Sequence, residues 1–352
     1  MRHFRNIFLF GLGFFVTFLL LEIYISQTYI VNRSLNDVYQ DIGRGRRANL
    51  FYVMFNEGFS IGRFNKYRYM GPGYPKQKGE NTIRIALLGD SFVEGFQVFD
   101  RNHFRYILEN ELSKKLNKKV EVLNFGRSGF DIGDMYAYNQ TFIKEFNPDF
   151  SLYFVSNHDL MPQFSDPLRM KVRIEKDSLL IVKGYPEGYI KLFNKTKYLV
   201  QYSAIFNMLN NGQKLIKRNE HLQIIFDKFY PVAHNNENEN IGYNNDSTFY
   251  LPKITSRIVK GFDPSMDVII NRDLYPLPPN LVALINDYNI QYIDTRDTLI
   301  HIQANGIDPY YWKATNKRGH WNHEAHIAVG QYIALKLYEI INSQSENQSD
   351  FN

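Results

Sequence analysis

Short apolar runs alternate with amphipathic stretches in the first half of the chain. Ile83–Leu88 is apolar enough for a buried parallel strand, and His103–Leu116 has the spacing of a helix with one apolar side. Lys119–Asn124 and Phe150–Val155 read as further strands on either side of a second helix at Ile132–Phe146. Alternation of this kind predicts βαβ units, and therefore a parallel sheet covered by helices.

The alternation is interrupted between about 160 and 260. This region is rich in Tyr, Phe, Asn and Lys, and we expect an insertion or cap over the α/β core. The stretch SLLIVKGYPEGYIKLF predicts a hairpin, Tyr198–Lys217 a helix, and AHNNENENIGYNNDS a polar loop. The cap is expected either to shape a substrate groove or to be plain surface structure.

The alternation then returns and completes the domain. Met266–Asn271 and Gln291–Asp294 predict strands, with a helix around Pro279–Tyr288 between them and a last helix from about His323 to Ile341. The expected organisation is a membrane anchor at 1–30, a connecting region at 31–80, an α/β domain at 81–342 with its insertion at about 160–260, and a polar tail at 343–352.

The first 30 residues have the pattern of a membrane anchor. The basic segment MRHFRN precedes an uncharged run from Ile7 to Leu21, and apolar residues resume after Glu22 up to Ile25. About 19 residues at 1.5 Å each span roughly 28 Å, close to the hydrocarbon thickness of a bilayer. Bulky residues follow where a signal peptidase needs small ones, so residues 7–25 predict an uncleaved signal anchor. The alternative is a buried core helix.

Arginines flank this span on both sides. Arg2 and Arg5 favour a cytoplasmic amino terminus, whereas Arg33 and the arginines at 44–47 favour the opposite orientation. We expect a single-pass membrane protein whose main domain is extracytoplasmic, on the periplasmic or cell-surface side.

The amino-acid composition of the chain excludes several classes of function. The chain has 352 residues and no cysteine, so disulfides, thiolate metal sites and cysteine nucleophiles are excluded. The net charge of +5 is spread along the chain without a nucleic-acid-binding motif, and we expect no nucleic-acid partner. The pattern leaves the oligomeric state open.

Candidate chemistry lies where the predicted elements end. Ser91 follows the first strand in a Gly-Asp-Ser triplet, at the edge where parallel sheets place functional groups. Taken alone, the Gly-Asp-Ser triplet is a weak signal, and it favours Ser91 as a helix N-cap. Three further segments change this: Gly129 follows the second strand, Asn157 follows the third, and His320 precedes the last helix.

With these four residues in this order, the sequence resembles the SGNH (GDSL) hydrolase superfamily, in particular its membrane-anchored members. The resemblance covers residues 63–159 well, 266–341 moderately, and the insertion poorly. It implies a flavodoxin-like three-layer α/β fold and a serine esterase without metal or organic cofactor. Ser91 would be the nucleophile and His320 the base, and the oxyanion hole would be formed by Ser91, Gly129 and Asn157. The implied substrate is an O-acyl group on a cell-envelope glycan, or another small ester.

The chain departs from the family pattern at the third member of the triad. The family usually has an aspartate two or three residues before the histidine, where this chain has Arg318 and Lys317. Asp308 is the nearest candidate replacement; a backbone carbonyl could serve instead, or the site could be weak or inactive. Smaller departures are His158, where Asp is common, and Ala325, where Gly is common.

Three rival functions remain at the level of sequence. His320, His323 and His326, with Glu324, have a spacing that could present metal ligands on a helix. The aromatic content of 16% and the missing acid would suit a non-catalytic carbohydrate-binding protein. The same Ser-His pair could also transfer an acyl group to a sugar instead of to water.

Overall fold

The structure of the chain is a computed structural model. It describes residues 2–28, 35–55, 57–163, 166, 168–176, 178–183, 185, 187–209, 212 and 250–349. The chain divides into two compact units. One contains Met1–Leu35 and Glu187–Thr248, and the other contains Asn36–Pro186 and Phe249–Asn352.

The strands and helices are numbered here in chain order. The strands are β1 Asn36–Tyr39, β2 Gly43–Arg46, β3 Phe51–Met54, β4 Ser60–Arg63, β5 Thr82–Leu88, β6 Lys119–Asn124, β7 Phe150–Val155, β8 Lys171–Glu175, β9 Ser178–Val182, β10 Asp267–Asn271, β11 Gln291–Asp294, β12 Tyr311–Trp312 and β13 Lys317–Arg318. The helices are α1 Arg2–Thr28, α2 Ser91–Glu94, α3 Phe104–Leu116, α4 Ile132–Thr141, α5 Glu187–Tyr202, α6 Lys253–Lys260, α7 Pro279–Asp287, α8 Arg296–Ala304 and α9 His323–Ser349.

A five-stranded sheet forms the centre of the second unit. Its strands are all parallel and lie in the order β6-β5-β7-β10-β11, which is 2-1-3-4-5 when they are counted along the chain. This is the flavodoxin-like order, in which β5 and β7 flank the point where the chain reverses direction across the sheet. The expected fold class is therefore confirmed, and β5 leads Ser91 to a central position at the carboxyl edge.

Helices cover both faces of this sheet. One buried apolar cluster packs α4, α6 and α7 against the sheet, and the other packs α3, α8 and α9 against the opposite face. Every residue of β7 and of β10 is buried, as expected for strands covered on both sides. α8, which the sequence analysis did not predict, completes the second helical layer.

The residues before the sheet form two small hairpins rather than a plain linker. β1 pairs with β2 and β3 pairs with β4, both antiparallel. The loop between β3 and β4 contains Glu57 and Gly58. The connecting region therefore belongs to the same compact unit as the sheet.

The inserted hairpin lies earlier than predicted. β8 pairs with β9, so Ser178–Val182 is its second strand, and the residues from Glu187 onward form α5 instead. The apolar spacing at Ile190, Phe193 and Val200 is that of a helix, which explains the correction. The predicted helix at Tyr198–Lys217 overlaps the end of α5 and a helical stretch at 204–209, and its remainder lies largely outside the described residues. The predicted polar loop at 233–247 lies outside them altogether.

The first unit contains α1, whose residues 2–27 are long and apolar enough to cross a membrane. Most of its side chains are exposed. This is the segment in which the sequence analysis placed the anchor.

Candidate active site

Ser91 begins α2 immediately after the central strand β5. The carboxylate of Asp90 caps this short helix by accepting the backbone N–H of Phe92 at 2.9 Å. The capping role that Ser91 could have had therefore belongs to Asp90, and the Ser91 hydroxyl is available for another partner.

That partner is His320. The Nε2 atom of His320 lies 2.7 Å from Ser91 Oγ. On the other side of the ring, Nδ1 lies 3.0 Å and 2.9 Å from the two carboxylate oxygens of Glu57. A proton on Nδ1 donated to Glu57 leaves Nε2 as an acceptor for the Ser91 hydroxyl. The three side chains have the arrangement of a relay in which a carboxylate orients a histidine toward a serine.

Glu57 is fixed by more than the imidazole ring. Its carboxylate also accepts the backbone N–H of His320 at 2.8 Å, and its carbonyl accepts the hydroxyl of Thr315 at 2.6 Å. Burial by itself would raise the pKa of Glu57, but the hydrogen bonds from the ring and backbone of His320 outweigh it and hold the pKa below its ordinary value. Glu57 is thus kept as an anion facing the histidine.

Gly319 leaves the space that the Glu57 carboxylate occupies. A Cβ atom at position 319 would lie 2.6 Å from each carboxylate oxygen, closer than non-bonded atoms approach. The absence of a side chain immediately before His320 is therefore a steric condition for the contact between Glu57 and His320.

Asp308 does not take the position that the sequence analysis offered it. Its carboxylate pairs with Arg318 at 3.0 Å and accepts the backbone N–H of Tyr310. Both ring nitrogens of His320 are already engaged, one by Ser91 and the other by Glu57. Glu57 replaces Asp308 as the carboxylate that faces His320, because the β3–β4 loop reaches the histidine and the Asp308 side chain turns to Arg318.

The predicted oxyanion donors are only partly brought together. Ser91 and Gly129 line one cavity of about 140 Å³. Gly129 has φ = +73°, a conformation that side-chain-bearing residues rarely adopt. Asn157 follows β7 as expected, but its amide donates to the carbonyl of Pro276 at 3.2 Å, while its own Oδ1 is buried without a partner among the described residues.

The cavity in front of Ser91 is lined mainly by polar and charged side chains. Arg169 donates to Asp134 at 2.8 Å and to the carbonyl of Gly129 at 2.5 Å, so it joins the cavity wall to the Gly129 turn. Burial, reinforced by neighbouring Asp131, raises the pKa of Asp134 to about 7. Burial also raises the pKa of Asp131. Such a wall offers hydrogen-bond donors and acceptors at one end of a small site.

A buried ion pair of Arg46 and Glu94 contacts the turn at Gly129 through Ser128. Arg46, at the end of β2, donates to both carboxylate oxygens of Glu94 at 2.6 Å. Glu94 in turn accepts the backbone N–H of Ser128 at 2.8 Å and its hydroxyl at 2.5 Å. The carboxylate of Glu94, at the end of α2, therefore holds Ser128 in place directly before Gly129.

A second buried cluster surrounds the residues next to Ser91. Arg272, just after β10, donates to Asp90 at 2.6 Å and to Asp159 at 3.1 Å. Its guanidinium carbon lies 4.3 Å from the centre of the Phe92 ring. Burial raises the pKa of Asp90 to about 6 even though Arg272 opposes the shift. This cluster holds the residues on both sides of Ser91 in place.

The histidines that suggested a metal site have separate partners. His320 faces Ser91 and Glu57, His326 accepts the backbone N–H of Phe104, and His323 packs edge-on against Trp312. Within the described ranges, no group of three or more His, Cys, Asp or Glu side chains is placed to hold a metal ion.

Sequence reasoning missed Glu57, Arg46, Arg169 and Arg272. None of them belongs to a motif, and each is joined to the site by contacts with residues far away in the chain. Two glycines reflect this packing in the sequence. A Cβ atom at Gly58 would collide with Trp312, and a Cβ atom at Gly319 would collide with Glu57. Two glycines in loops are too common to have identified the acid.

Comparison with known proteins gives remote structural likenesses. The chain matches no family model and no curated protein sequence. Among solved structures, it resembles a two-domain esterase active on acetylated mannans, at 10% identity over 74% of this chain and 50% of that chain, with a TM-score of 0.39. It also resembles a psychrotrophic esterase from Pseudoalteromonas sp., at 11% identity over 76% of this chain and 100% of that chain, with a TM-score of 0.36.

A third similar structure is an acetylxylan esterase from Geobacillus stearothermophilus. It shares 13% identity over 72% of this chain and 93% of that chain, with a TM-score of 0.32.

Proposed function

We propose that this protein is a serine ester hydrolase in which Ser91, His320 and Glu57 act as nucleophile, base and orienting carboxylate. The observation that carries the proposal is the continuous contact from Ser91 Oγ to His320 Nε2 at 2.7 Å and from His320 Nδ1 to Glu57 at 2.9 Å. A serine hydroxyl is a weak nucleophile unless a positioned base takes its proton. A histidine held in one tautomer by a carboxylate meets that need.

The reaction follows from these three groups. Ser91 Oγ bonds to the acyl carbon as His320 Nε2 accepts the hydroxyl proton, and the carbonyl π electrons move onto oxygen. When the tetrahedral intermediate collapses, the alkoxy group leaves with the proton from His320 and an acyl-serine remains. Water then attacks the acyl-serine with His320 again as base, and the acid and free Ser91 are released. Glu57 stabilises the imidazolium at each stage and stays ionised.

The oxyanion needs donors aimed at the cavity. The backbone N–H groups of Ser91 and Gly129 are our candidates, because both residues line the cavity and Ser91 lies at a helix start where N–H groups lack helical partners. Asn157 completes the set if its amide turns from Pro276 toward the substrate. Removal of one such donor typically costs about 2.7–4 kcal/mol of barrier lowering.

The cavity favours a short acyl group on a hydroxyl-rich partner. About 140 Å³ next to Ser91 suits a small acyl chain better than a fatty one. Asp131, Asp134 and Arg169 in its wall suit sugar hydroxyls better than an alkyl surface. We therefore propose an O-acyl group on a cell-envelope glycan as the substrate, with the domain outside the cytoplasm behind an α1 membrane anchor.

Activity toward a simple ester tests the mechanism. Full-length protein in detergent micelles is assayed for release of p-nitrophenol from p-nitrophenyl acetate, beside Ser91→Ala and His320→Ala. We expect both variants to fall to the background rate while keeping the unfolding temperature of the parent. A folded parent without turnover of this ester and of acetylated glycans would refute hydrolysis and favour a binding protein.

Acyl transfer is the second candidate, because the same acyl-serine can be attacked by a sugar hydroxyl instead of water. The two reactions separate when acetylated glycan and an unacetylated oligosaccharide are supplied together. Free acetate as the product supports hydrolysis, whereas acetylated oligosaccharide at the expense of free acetate would show a transferase.

A further inference from the structure

Glu22 connects the apolar helix α1 to the insertion within the first compact unit. Its carboxylate accepts the hydroxyl of Ser203 at 2.8 Å, the backbone N–H of Ile205 at 3.2 Å, and the backbone N–H of Ala204. These are the donors at the start of the helical stretch 204–209, which a carboxylate satisfies well. The start of that stretch is therefore fastened to α1 at position 22.

The level of Glu22 along α1 follows from helix geometry. Glu22 lies three residues, about 4.5 Å, from the carboxyl end of the apolar span at 7–25, which crosses roughly 28 Å. Arg2 and Arg5 lie at one end of the apolar run and Glu22 at the other. If α1 spans a membrane, Glu22 lies at the membrane surface, and the start of the 204–209 stretch lies there with it.

The helix that precedes this point exposes a face of mixed character. Leu192 and Leu199, seven residues apart on one side of α5, are 61% and 52% exposed. Tyr198 and Tyr202 are likewise exposed, at 56% and 67%. Lys195, also exposed, lies between the two leucines on this face. Residues 187–209 contain three lysines and one glutamate.

Leucine, tyrosine and lysine on one exposed helix face are the composition of an interfacial helix. Leucine side chains enter the acyl boundary, tyrosine rings settle at the headgroup level, and lysine amines reach anionic headgroups. In water the same residues would expose an apolar patch to solvent. The hydrogen bonds from Ser203, Ala204 and Ile205 to Glu22 place this segment near the level at which the bilayer surface would lie.

We propose that α5 and the 204–209 stretch lie on the bilayer surface, with Leu192 and Leu199 inserted into the headgroup–acyl boundary and Lys195 against anionic lipid. The insertion is then a second membrane contact, held beside the anchor by Glu22. This inference rests on the proposed role of α1 as a membrane span.

The absence of cysteine makes a direct test possible. A nitroxide is attached to single-cysteine variants of the full chain, reconstituted in vesicles of phosphatidylcholine and phosphatidylglycerol. The probe positions are Leu199→Cys on the proposed lipid face, Asn194→Cys on another exposed side of α5, and Phe14→Cys in the middle of α1. Collision with oxygen, which is concentrated in lipid, is compared with collision with a water-soluble nickel complex.

We expect the oxygen-to-nickel collision ratio to be severalfold higher at Leu199→Cys than at Asn194→Cys, and highest at Phe14→Cys. Equal, water-like ratios at 199 and 194 with a lipid-like ratio at 14 would overturn the inference and leave the anchor intact. A water-like ratio at 14 would instead overturn the anchor. Spin–spin broadening at 199 that disappears on dilution with unlabelled protein would identify a second copy of the chain as the occupant, and would also overturn the proposal.

A fourth variant tests the fastening. Glu22→Gln keeps one acceptor oxygen but loses the charge, so the label at Leu199→Cys should become more accessible to nickel in this background while the label at Phe14→Cys is unchanged. Phosphatidylcholine alone, or high salt, should lower the oxygen-to-nickel ratio at 199 because lysine–headgroup attraction is weakened. A ratio at 199 that none of these changes alters would contradict the contribution of Glu22 and Lys195.

Discussion

Glu57 binds His320 twice, once through the imidazole Nδ1 at 2.9 Å and once through the backbone N–H at 2.8 Å, across 263 residues of sequence. The carboxylate that faces His320 thus comes from the hairpin that precedes Ser91, rather than from the residues just before the histidine. Because one carboxylate sets both the ring and the backbone of His320, it can define the histidine position where Arg318 cannot.

The first prediction concerns the identity of this acid. Glu57→Gln should lower kcat for p-nitrophenyl acetate by as much as about 10⁴, because an amide can stabilise the wrong imidazole tautomer and cannot stabilise the imidazolium. Asp308→Asn is the matched control and should keep kcat near that of the parent. Steady-state kinetics of the two variants decide the matter; a larger loss in Asp308→Asn than in Glu57→Gln would restore Asp308 as the acid.

The second prediction uses the space beside the acid. Gly319→Ala would place a methyl group 2.6 Å from the Glu57 carboxylate oxygens, so the carboxylate has to move away from His320. We expect kcat to fall by about 10² or more with little change in KM, since misplacement of a catalytic group by about 1 Å has this effect. Gly261→Ala is the control, because its added methyl would meet no atom closer than 3.4 Å. Unchanged kcat in Gly319→Ala would contradict the role of Glu57.

The third prediction concerns the ion pair behind the Gly129 turn. Arg46→Met leaves Glu94 buried without its cation, which should cost about 3–5 kcal/mol of stability and lower Tm by roughly 10 °C. Arg44→Met is the control, since Arg44 and Asp166 form a more exposed pair, for which about 0–1 kcal/mol is usual. Thermal unfolding at pH 7 measures both.

The pH dependence of the Arg46→Met effect has a definite sign. Burial tends to raise the pKa of Glu94, but Arg46 and Ser128 lower it below its ordinary value of 4.5. A lowered folded-state pKa stabilises the fold above that ordinary value, and this contribution is lost as the pH falls through the folded-state pKa. The Tm difference between parent and Arg46→Met should therefore shrink below pH 4.5; a constant difference would show that packing, not charge, is what Arg46 contributes.

The fourth prediction has the opposite sign and lies outside the active site. Burial raises the pKa of Asp267 from 3.8 to about 6; the hydrogen bond from the backbone N–H of Asp263 opposes the shift, and the charge of Asp263 adds to it. Between these values the unfolded chain loses a proton that the folded chain keeps, so this group lowers the free energy of unfolding as the pH rises through the window. Asp267→Asn should stabilise the protein by about 1–2 kcal/mol at pH 7 and have little effect below pH 4.

The Asn side chain retains an acceptor for the backbone N–H of Asp263, which Asp267 accepts at 2.9 Å. Asp287→Asn, at an exposed position at the end of α7, is the comparison and should leave Tm unchanged at both pH values. Denaturant unfolding at pH 4 and pH 7 checks the prediction; equal effects of Asp267→Asn at the two pH values would contradict it.

Local apolar pattern was enough to predict the sheet and the order in which its candidate site residues follow the strands. Lys119–Asn124, Phe150–Val155 and Gln291–Asp294 are strands at the predicted bounds. In Phe150–Val155, which is buried throughout, burial on both faces of the sheet requires a nearly continuous apolar run. Ser91 could be placed at the carboxyl edge of the sheet for the same reason, since the end of such a run is visible locally. His320 was identified by its position in an ordered set of motifs.

Tertiary structure alone decided the partner of His320 and the place of the inserted hairpin. Whether Glu57, Asp308 or a backbone carbonyl faces the imidazole depends on how the β3–β4 loop packs against the segment from Trp312 to His320, and no local pattern encodes a contact across 263 residues. Pairing with β8 makes Ser178–Val182 the second strand of the hairpin and ends that strand at Val182. The helical spacing at Ile190, Phe193 and Val200 becomes apparent only when the sequence is read beyond Phe193. The periodicity of apolar residues indicates which side of a helix or strand is buried. A hydrogen bond between distant loops, by contrast, depends on how the whole unit packs.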